Sequence, residues 1–411
     1  MTQPGTSDPE TIWPSVNDLN SDLKAFGPLK IDRNKNGSPS EIYPSVAADP
    51  NAQLRVKGNP NLSNIRTIMI GVKNRAVTQR SAELWFNELR LTDFDNKGGW
   101  AAVLNADANF ADFADVSLSG RANSQGFGSI EQRANERSME DVKLYDIVTN
   151  VNLGQLLPKK TGIKIPFNYS ISEEFRDPKW DPKYQDVLLK DALNEGADSE
   201  KSRDYTKRTS INFINVHKER TNPEKKQHFY DVENVSVSYS YSENYHRDYN
   251  VQKYVDQNVR AAANYNYSFK PKSIEPLKNW KLLANSNFFK FIKDFNFNYL
   301  PSSLSVNSNI NRHFNQQQSR DLVGLGDLPE LTQRRYMFDW DYNIAYNLTR
   351  SLQFTFRASN NYIYDSFETN SDGDVINGEI FNNFFTIGRP YHYHQTLNGT
   401  YNIPINKIPW F

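Results

Sequence analysis

The sequence predicts an all-β protein whose long antiparallel strands form a segment of a transmembrane β-barrel wall. Aromatic residues make up 13% of the 411-residue chain, with 25 Phe, 22 Tyr and 7 Trp, although the mean hydropathy is −0.74. Apolar and polar residues alternate with the two-residue period of a strand over stretches of about ten residues. No apolar run approaches the ~18–20 residues that a membrane helix requires.

The length of the alternations favours a membrane wall over an ordinary sheet. A strand needs about 9–11 residues to cross a bilayer at a tilt, whereas strands in ordinary sheets average roughly 5–6 residues. In a barrel wall the outer face is apolar and the inner face is wet, so abundant rings coexist with low mean hydropathy. A soluble β-sandwich or propeller also alternates, but its outer face is usually charged, whereas the polar positions here are largely Asn, Ser, Thr and small residues.

The chain before the long alternations is expected to have two parts. Residues 1–63 are rich in Pro, Asn, Asp and Ser, which predicts an irregular peripheral region. Residues 64–99 contain two apolar runs, at 66–72 and 82–91, that predict the strands of a small β-sandwich-like domain. Residues 100–411 then form the expected barrel-wall segment.

The clearest alternation predicts a hairpin of two long strands joined by the short link 349–351. One face of this hairpin is apolar or aromatic, and the other is polar or small. The residues expected to face lipid are Phe338, Trp340, Tyr342, Ile344, Phe354 and Phe356, and those expected to face the lumen are Asp339, Asp341 and Asn343.

Weaker alternations elsewhere bring the expected total to about eleven strands. The long loop 176–208 separates two of them, and Asp181 and Pro182 are expected to begin a helix within it. Long and short links are expected to alternate between the two sides of a barrel. That rule predicts a single strand over 295–314 with a bulge at Pro301, and a long link over 249–257.

Metal and cofactor motifs are incomplete. Asp32, Asn34 and Asn36 match the first half of a calcium loop, but the twelfth position is Tyr43 instead of Glu, and an Asn–Gly turn explains the same residues. His392 and His394 share one face of a predicted strand, without a third metal ligand. We therefore expect no metal and no other cofactor.

Composition and motifs exclude several other functions. The 48 basic and 48 acidic residues give no net charge, so we expect no nucleic-acid partner. Cysteine is absent, which excludes disulfides and thiolate chemistry. No nucleophile elbow, zinc-protease motif or phosphate loop is present, so we expect no catalytic residues and no enzyme. Neither a signal peptide nor a closing element is apparent, and we expect the chain to be a segment of a longer polypeptide.

Several longer stretches resemble the SprA/Sov family of type IX secretion translocons. The resemblance begins at 64–74, 82–91 and 98–101, where apolar runs lead to Trp100. It continues at 176–182 and 294–301, and ends in the lysine–proline run at 406–409. These stretches are long and specific, and the resemblance covers most of the chain after residue 60.

The resemblance implies part of a very large single-chain barrel in the outer membrane of a Gram-negative bacterium. It implies a protein-conducting channel that translocates folded proteins to the cell surface and is linked to gliding motility. The implied partners are membrane lipid, the remainder of the parent chain, a smaller outer-membrane barrel, a periplasmic plug protein and the secreted substrates. Two alternatives remain, namely another outer-membrane barrel acting as a receptor or solute transporter, and a soluble glycan-binding β-protein.

Overall fold

A computed structural model describes residues 5–15, 18–45, 53–62, 65–81, 83, 85–93, 96–133, 136–222, 224–278, 295–324, 326–371, 373–376 and 378–403. Its strands are β1 Tyr43–Pro44, β2 Arg55–Val56, β3 Ala101–Phe110, β4 Ala114–Asn123, β5 Glu140–Asn152, β6 Ile163–Lys164, β7 Pro166–Pro178, β8 Asp204–Lys218, β9 Val235–Arg247, β10 Val251–Ser268, β11 Ser303–Ser319, β12 Leu331–Asn347, β13 Leu352–Tyr364, β14 Glu368–Thr369, β15 Val375–Ile376 and β16 Arg389–Tyr401. Its helices are α1 Pro9–Ile12, α2 Phe26–Asn36, α3 Leu189–Asn194 and α4 Ser199–Ser202, with 3₁₀ turns at Leu23–Ala25, Leu153–Leu156, Lys159–Thr161 and Val232–Asn234.

One large antiparallel sheet dominates the described chain. Its twelve strands follow the order β16, β13, β12, β11, β10, β9, β8, β7, β5, β4, β3, with the short β6 also paired to β8. Eleven of the strands described have ten or more residues, so the prediction of about eleven long antiparallel strands is confirmed. None of the helices in the described ranges is long and apolar enough to cross a membrane.

The chain divides into two compact units. Unit 1 contains residues 1–102, 122–143 and 175–204, and unit 2 contains 103–121, 144–174 and 205–411. The strands from β9 to β16 lie wholly in unit 2, and the residues of β5, β7 and β8 that contribute to the surfaces considered below also belong to that unit.

The expected sandwich-like domain at 64–99 differs from the structure, where the described residues of this range form no strand. Ile68, Met69, Trp85 and Leu89 are all exposed. An isolated strand pair with an apolar face is marginal unless another layer covers that face. No described element covers these two runs, so their apolar pattern alone does not produce a sheet.

Residues 1–63 are less irregular than expected, because they contain the eleven-residue helix α2. The Lys30 ammonium lies 2.7 Å from Asp186 Oδ1, and both side chains are buried. The buried Arg33 guanidinium donates to the backbone oxygen of Gly58. The buried side chains of this helix are mostly polar, with Leu29 as the one large apolar residue among them, so the 3.6-residue apolar period that marks a helix in a sequence is missing.

The long loop is shorter than expected, because β7 continues to Pro178 and β8 begins at Asp204. Asp181 Oδ1 accepts hydrogen bonds from the backbone N–H groups of Lys183 (2.7 Å) and Tyr184 (3.0 Å). It therefore caps a turn, and the helix begins only at Leu189. An isolated antiparallel β-bridge between Trp180 and Leu188 closes that turn, so the helix starts only after it.

Two strand boundaries also differ from the expected ones. The region 249–257 was expected to be a long link, but β10 begins at Val251 and only three residues separate it from β9. The side chains become polar there while the backbone ladder continues. Pro301 does not form a bulge within a strand, since β11 begins after it at Ser303. Proline has no N–H to donate to a ladder, so pairing starts beyond it.

Candidate functional site

Backbone register gathers the apolar residues of six neighbouring strands onto one face of the sheet. Directly opposed residues of an antiparallel pair project to the same face. Val306 of β11 is opposed to Tyr265 of β10 on one side and to Tyr342 of β12 on the other. Tyr342 is in turn opposed to Ala358 of β13. The cross-strand pairs of β9 and β8 continue this face, and there Tyr241 is opposed to Ile211.

We call the part of this face that lies in the rows from Phe338 to Tyr346 of β12 the apolar band. On β12 it runs from Phe338 to Tyr346, which is nine residues along the strand. No Asp, Glu, Lys or Arg lies in it on any of the six strands. Its members are Phe213, Val216, Val235, Val237, Tyr239, Ala261, Ala263, Tyr265, Tyr267, Leu304, Val306, Ser308, Ile310, Phe338, Trp340, Tyr342, Ile344, Tyr346, Phe354, Phe356, Ala358, Asn360 and Tyr362.

The six residues expected to face lipid all lie in the apolar band: Phe338, Trp340, Tyr342, Ile344, Phe354 and Phe356. Trp340, near the centre of the band, is exposed in the described chain. Aromatic rings of neighbouring strands contact one another, and the Tyr342 and Phe356 centroids lie 5.8 Å apart with the ring planes tilted by 44°. Contact with lipid itself stays a prediction.

The opposite face carries the residues expected to face the lumen. Asp339 accepts hydrogen bonds from the amides of Asn311 (3.1 Å) and Asn361 (2.6 Å), one on each neighbouring strand. Asp341 is opposed to Ser359, and Asn343 is opposed to Arg357, so both lie on the same polar face. Their contact with a channel lumen also stays a prediction.

Amide and hydroxyl groups link this polar face across four further strands. The Asn168 amide donates to Asn150 Oδ1 (2.8 Å), and the Asn212 amide donates to Asn168 Oδ1 (2.9 Å). The Ser240 hydroxyl then donates to Asn212 Oδ1 (2.7 Å). These neutral groups thus satisfy one another's hydrogen bonds across the four strands.

The two histidines at the sheet edge belong to the polar face. His394 of β16 is opposed to Ser359, and His392 is opposed to Asn361. Their ring centroids lie 6.5 Å apart, and His394 Nε2 lies 3.0 Å from Thr396 Oγ1. This placement agrees with a wet strand face.

The candidate calcium ligands lie in α2, so they do not form the loop that their spacing suggested. The Asn36 amide donates to Asp32 Oδ1 (2.7 Å), and the Tyr43 hydroxyl donates to Asp32 Oδ2 (2.9 Å). Residues two apart on a helix point roughly 200° away from each other. Asn34 therefore points away from Asp32 and Asn36, and accepts from Arg33 instead.

One charged site on the apolar face was missed by the sequence interpretation. Arg312, opposed to Val259 and Tyr336, is the first charge beyond the band on β11, and only 3% of its surface is exposed. Residues 378–388, which we call the strap, cover it. The sequence gives no sign of this contact, because the strap lies at least 66 positions later in the chain.

Comparison with known proteins gives one family match and several structural similarities. Residues 1–193 match the family model SprA_N, described as a motility related/secretion protein. No curated protein matches the sequence. Among the solved structures, five chains match.

Two of these structures are the ferric-catecholate import receptor Fiu from E. coli K12. For the open form, the identity is 10%, the TM-score is 0.30, and the match covers 73% of this chain and 48% of the receptor. For the closed form, the identity is 10%, the TM-score is 0.29, and the match covers 75% of this chain and 47% of the receptor. The chain thus spans about half the length of these receptors.

Proposed function

We propose that this chain, whose residues 1–193 match the SprA_N family of motility-related and secretion proteins, forms part of the wall of the protein-conducting outer-membrane channel of the type IX secretion system. In this role it separates membrane lipid from a wet path through which folded proteins reach the cell surface. The role is steric and electrostatic, with no enzymatic step and no cofactor.

The observation that carries the proposal is the apolar band. Its nine residues on β12 match the ~9–11 residues with which a tilted strand crosses a bilayer. At about 3.3 Å per residue they extend about 30 Å along the strand, which a tilt of roughly 40° reduces to about 23 Å, close to the ~25 Å apolar height of outer-membrane barrels. Lys, Arg, Asp and Glu are absent from the whole band, as lipid contact requires.

The polar face supports the channel side of the proposal. A passing folded protein presents surfaces of both charges. The polar face combines linked amides and hydroxyls with acidic and basic side chains such as Asp341 and Arg357, so it neither attracts nor repels such a protein strongly. The hydrogen bonds from Asn311 and Asn361 hold the Asp339 carboxylate close to the wall, which limits how far it extends into the proposed channel. The proposed partners are lipid, the rest of the parent chain, a smaller outer-membrane barrel, a periplasmic plug protein and the secreted substrates, with a link to gliding motility.

Cysteine scanning from position 338 to 358 tests the wall. The chain has no cysteine, so each introduced thiol is unique within it. The experiment uses the full-length parent protein in native outer membranes and a water-soluble maleimide. We expect thiols at Asp339, Asp341 and Asn343 to react, and thiols at Trp340, Tyr342 and Ile344 to stay protected, because only the polar face meets water.

The same variants, labelled after denaturation, serve as the control that every thiol is chemically competent. A protected polar face beside a reactive apolar face would reverse the assignment. Protection of both faces until denaturation would indicate that the strands lie in a soluble protein core, which would contradict the proposed channel. If the alternation is found, a secretion assay on cells that carry the variants tests the translocon role itself.

A further inference from the structure

The strap crosses the sheet at one end of the apolar band. Its Gly378 backbone oxygen accepts hydrogen bonds from Arg334 Nε and the Tyr336 hydroxyl, both at 2.8 Å, over β12. At its other side, the Phe381 ring lies 5.7 Å from the Tyr241 ring of β9. The strap therefore spans β12 to β9 on the face that carries the band.

Arg312 fixes the middle of the strap. Its guanidinium donates to the backbone oxygens of Ile380 (2.9 Å), Asn382 (2.6 Å) and Asn383 (2.5 Å). It also lies over the rings of Tyr336 (4.7 Å) and Phe384 (5.2 Å). A planar guanidinium suits this arrangement, because it combines several directed donors with faces that stack on aromatic rings.

The strap has one apolar side turned to the sheet and another turned away from it. Ile380 is 2% exposed and packs with Val259, Phe314 and Tyr336 in a buried cluster that Phe384 also contacts. Phe385 is 85% exposed, and Phe381 and Ile387 are also exposed. Three large apolar side chains on eleven residues are more than a water-exposed link needs.

We propose that the strap seats at the membrane interface, with Phe385 and Ile387 at the boundary between lipid headgroups and acyl chains. The proposal rests on the proposed function, because it takes the apolar band as the lipid-facing surface. The strap contacts the row of Val259, Arg312 and Tyr336, which directly follows the last uncharged row of Ala261, Ile310 and Phe338. It thus lies at the level where charge first appears on this face.

The arrangement has a physical reason in the position of Arg312. A guanidinium on the outer face at the edge of the hydrocarbon would otherwise contact lipid chains directly. The strap satisfies its donors with backbone oxygens and presents apolar side chains outward instead. Aromatic side chains at this depth are typical of the girdles that border the apolar zone of membrane proteins. The strap would therefore fix the height at which the membrane ends along β9 to β12.

Depth-dependent fluorescence quenching tests the proposal. Phe385→Cys in the full-length protein is labelled with an environment-sensitive fluorophore and reconstituted in phosphatidylcholine vesicles. Bromine atoms placed near the headgroup or near the end of the acyl chain act as quenchers. We expect blue-shifted emission and stronger quenching by the bromine near the headgroup. Ile387→Cys provides a second label position, in case the first label disturbs the strap.

Trp340→Cys and Asp341→Cys, neighbours on opposite faces of β12, are the matched controls. We expect the label at Trp340 to be quenched more by the deep bromine, and the label at Asp341 by neither. Quenching at Trp340 without quenching at the strap positions would overturn the strap proposal and leave the wall intact. Quenching at none of these positions would contradict both the proposed membrane wall and the proposed position of the strap. Blue-shifted but unquenched labels at Phe385 and Ile387 would show a protein partner on the strap instead of lipid, which also overturns the proposal.

Discussion

An arginine in place of Val306 is expected to lower the free energy of unfolding in lipid vesicles by about 2–4 kcal/mol. Val306 lies near the middle of the apolar band, between Tyr265 and Tyr342 on the neighbouring strands. Because neither neighbour carries a negative charge, the guanidinium must enter hydrocarbon unpaired or pull water and headgroups toward it. Urea titration of the folded protein in vesicles measures the loss.

Asn307→Arg is the matched control, since position 307 is the next residue of the same strand and projects to the polar face opposite Asp341. We expect its free energy of unfolding to change by less than about 0.5 kcal/mol, as for a substitution on a solvated surface. Equal losses for the two variants would indicate that both faces are buried in protein. A larger loss for Asn307→Arg would place lipid on the polar face.

Arg312→Met is expected to release the strap while leaving the sheet paired. The substitution removes three hydrogen bonds from a charged donor, each worth about 1.5–3 kcal/mol. Water replaces part of that loss at the edge of the band, so we expect the free energy of local opening to fall by about 3 kcal/mol. This corresponds to a roughly hundredfold increase in amide hydrogen exchange, which mass spectrometry measures on peptides covering 378–388.

Arg335→Met on β12 removes an exposed arginine from the polar face and serves as the control. Its strap peptides should exchange at the wild-type rate. Arg312→Lys keeps the charge but has no planar fork, so we expect an intermediate exchange rate. Unchanged strap exchange in Arg312→Met would show that Gly378 and the buried Ile380 hold the strap without the guanidinium.

The pattern of side chains along β12 was enough to predict a long strand with two different faces. Phe338, Trp340, Tyr342 and Ile344 alternate with Asp339, Asp341 and Asn343, and the period of a strand is two residues whatever its partners are. The same local rule predicted about eleven strands, and eleven long strands are present in the described chain. The described residues of 64–99 form no strand, because local alternation indicates a strand only where a partner strand and a covering layer exist.

The strand boundaries were harder to predict, because apolar alternation reports burial of one face and not backbone pairing. Between Val251 and Gln257 the side chains are mostly polar, yet β10 continues its ladder with β11 as far as Val251. At Pro301 the opposite holds, since the alternation of Phe295, Phe297 and Tyr299 with asparagines lies outside the strand that begins at Ser303. Backbone hydrogen bonding therefore determines the first residue of both β10 and β11.

The order of residues along each strand thus determines which side chains lie on each face of the wall, since alternate side chains must point to opposite sides. Which residues of different strands form one row depends on register, and one residue of slip would have mixed the faces. Register brings Val306, Tyr265 and Tyr342 together. The contact of Arg312 with the strap joins residues at least 66 positions apart in the sequence. No local period encodes such a contact, because only the folded chain brings a lone buried charge to the backbone oxygens that satisfy it.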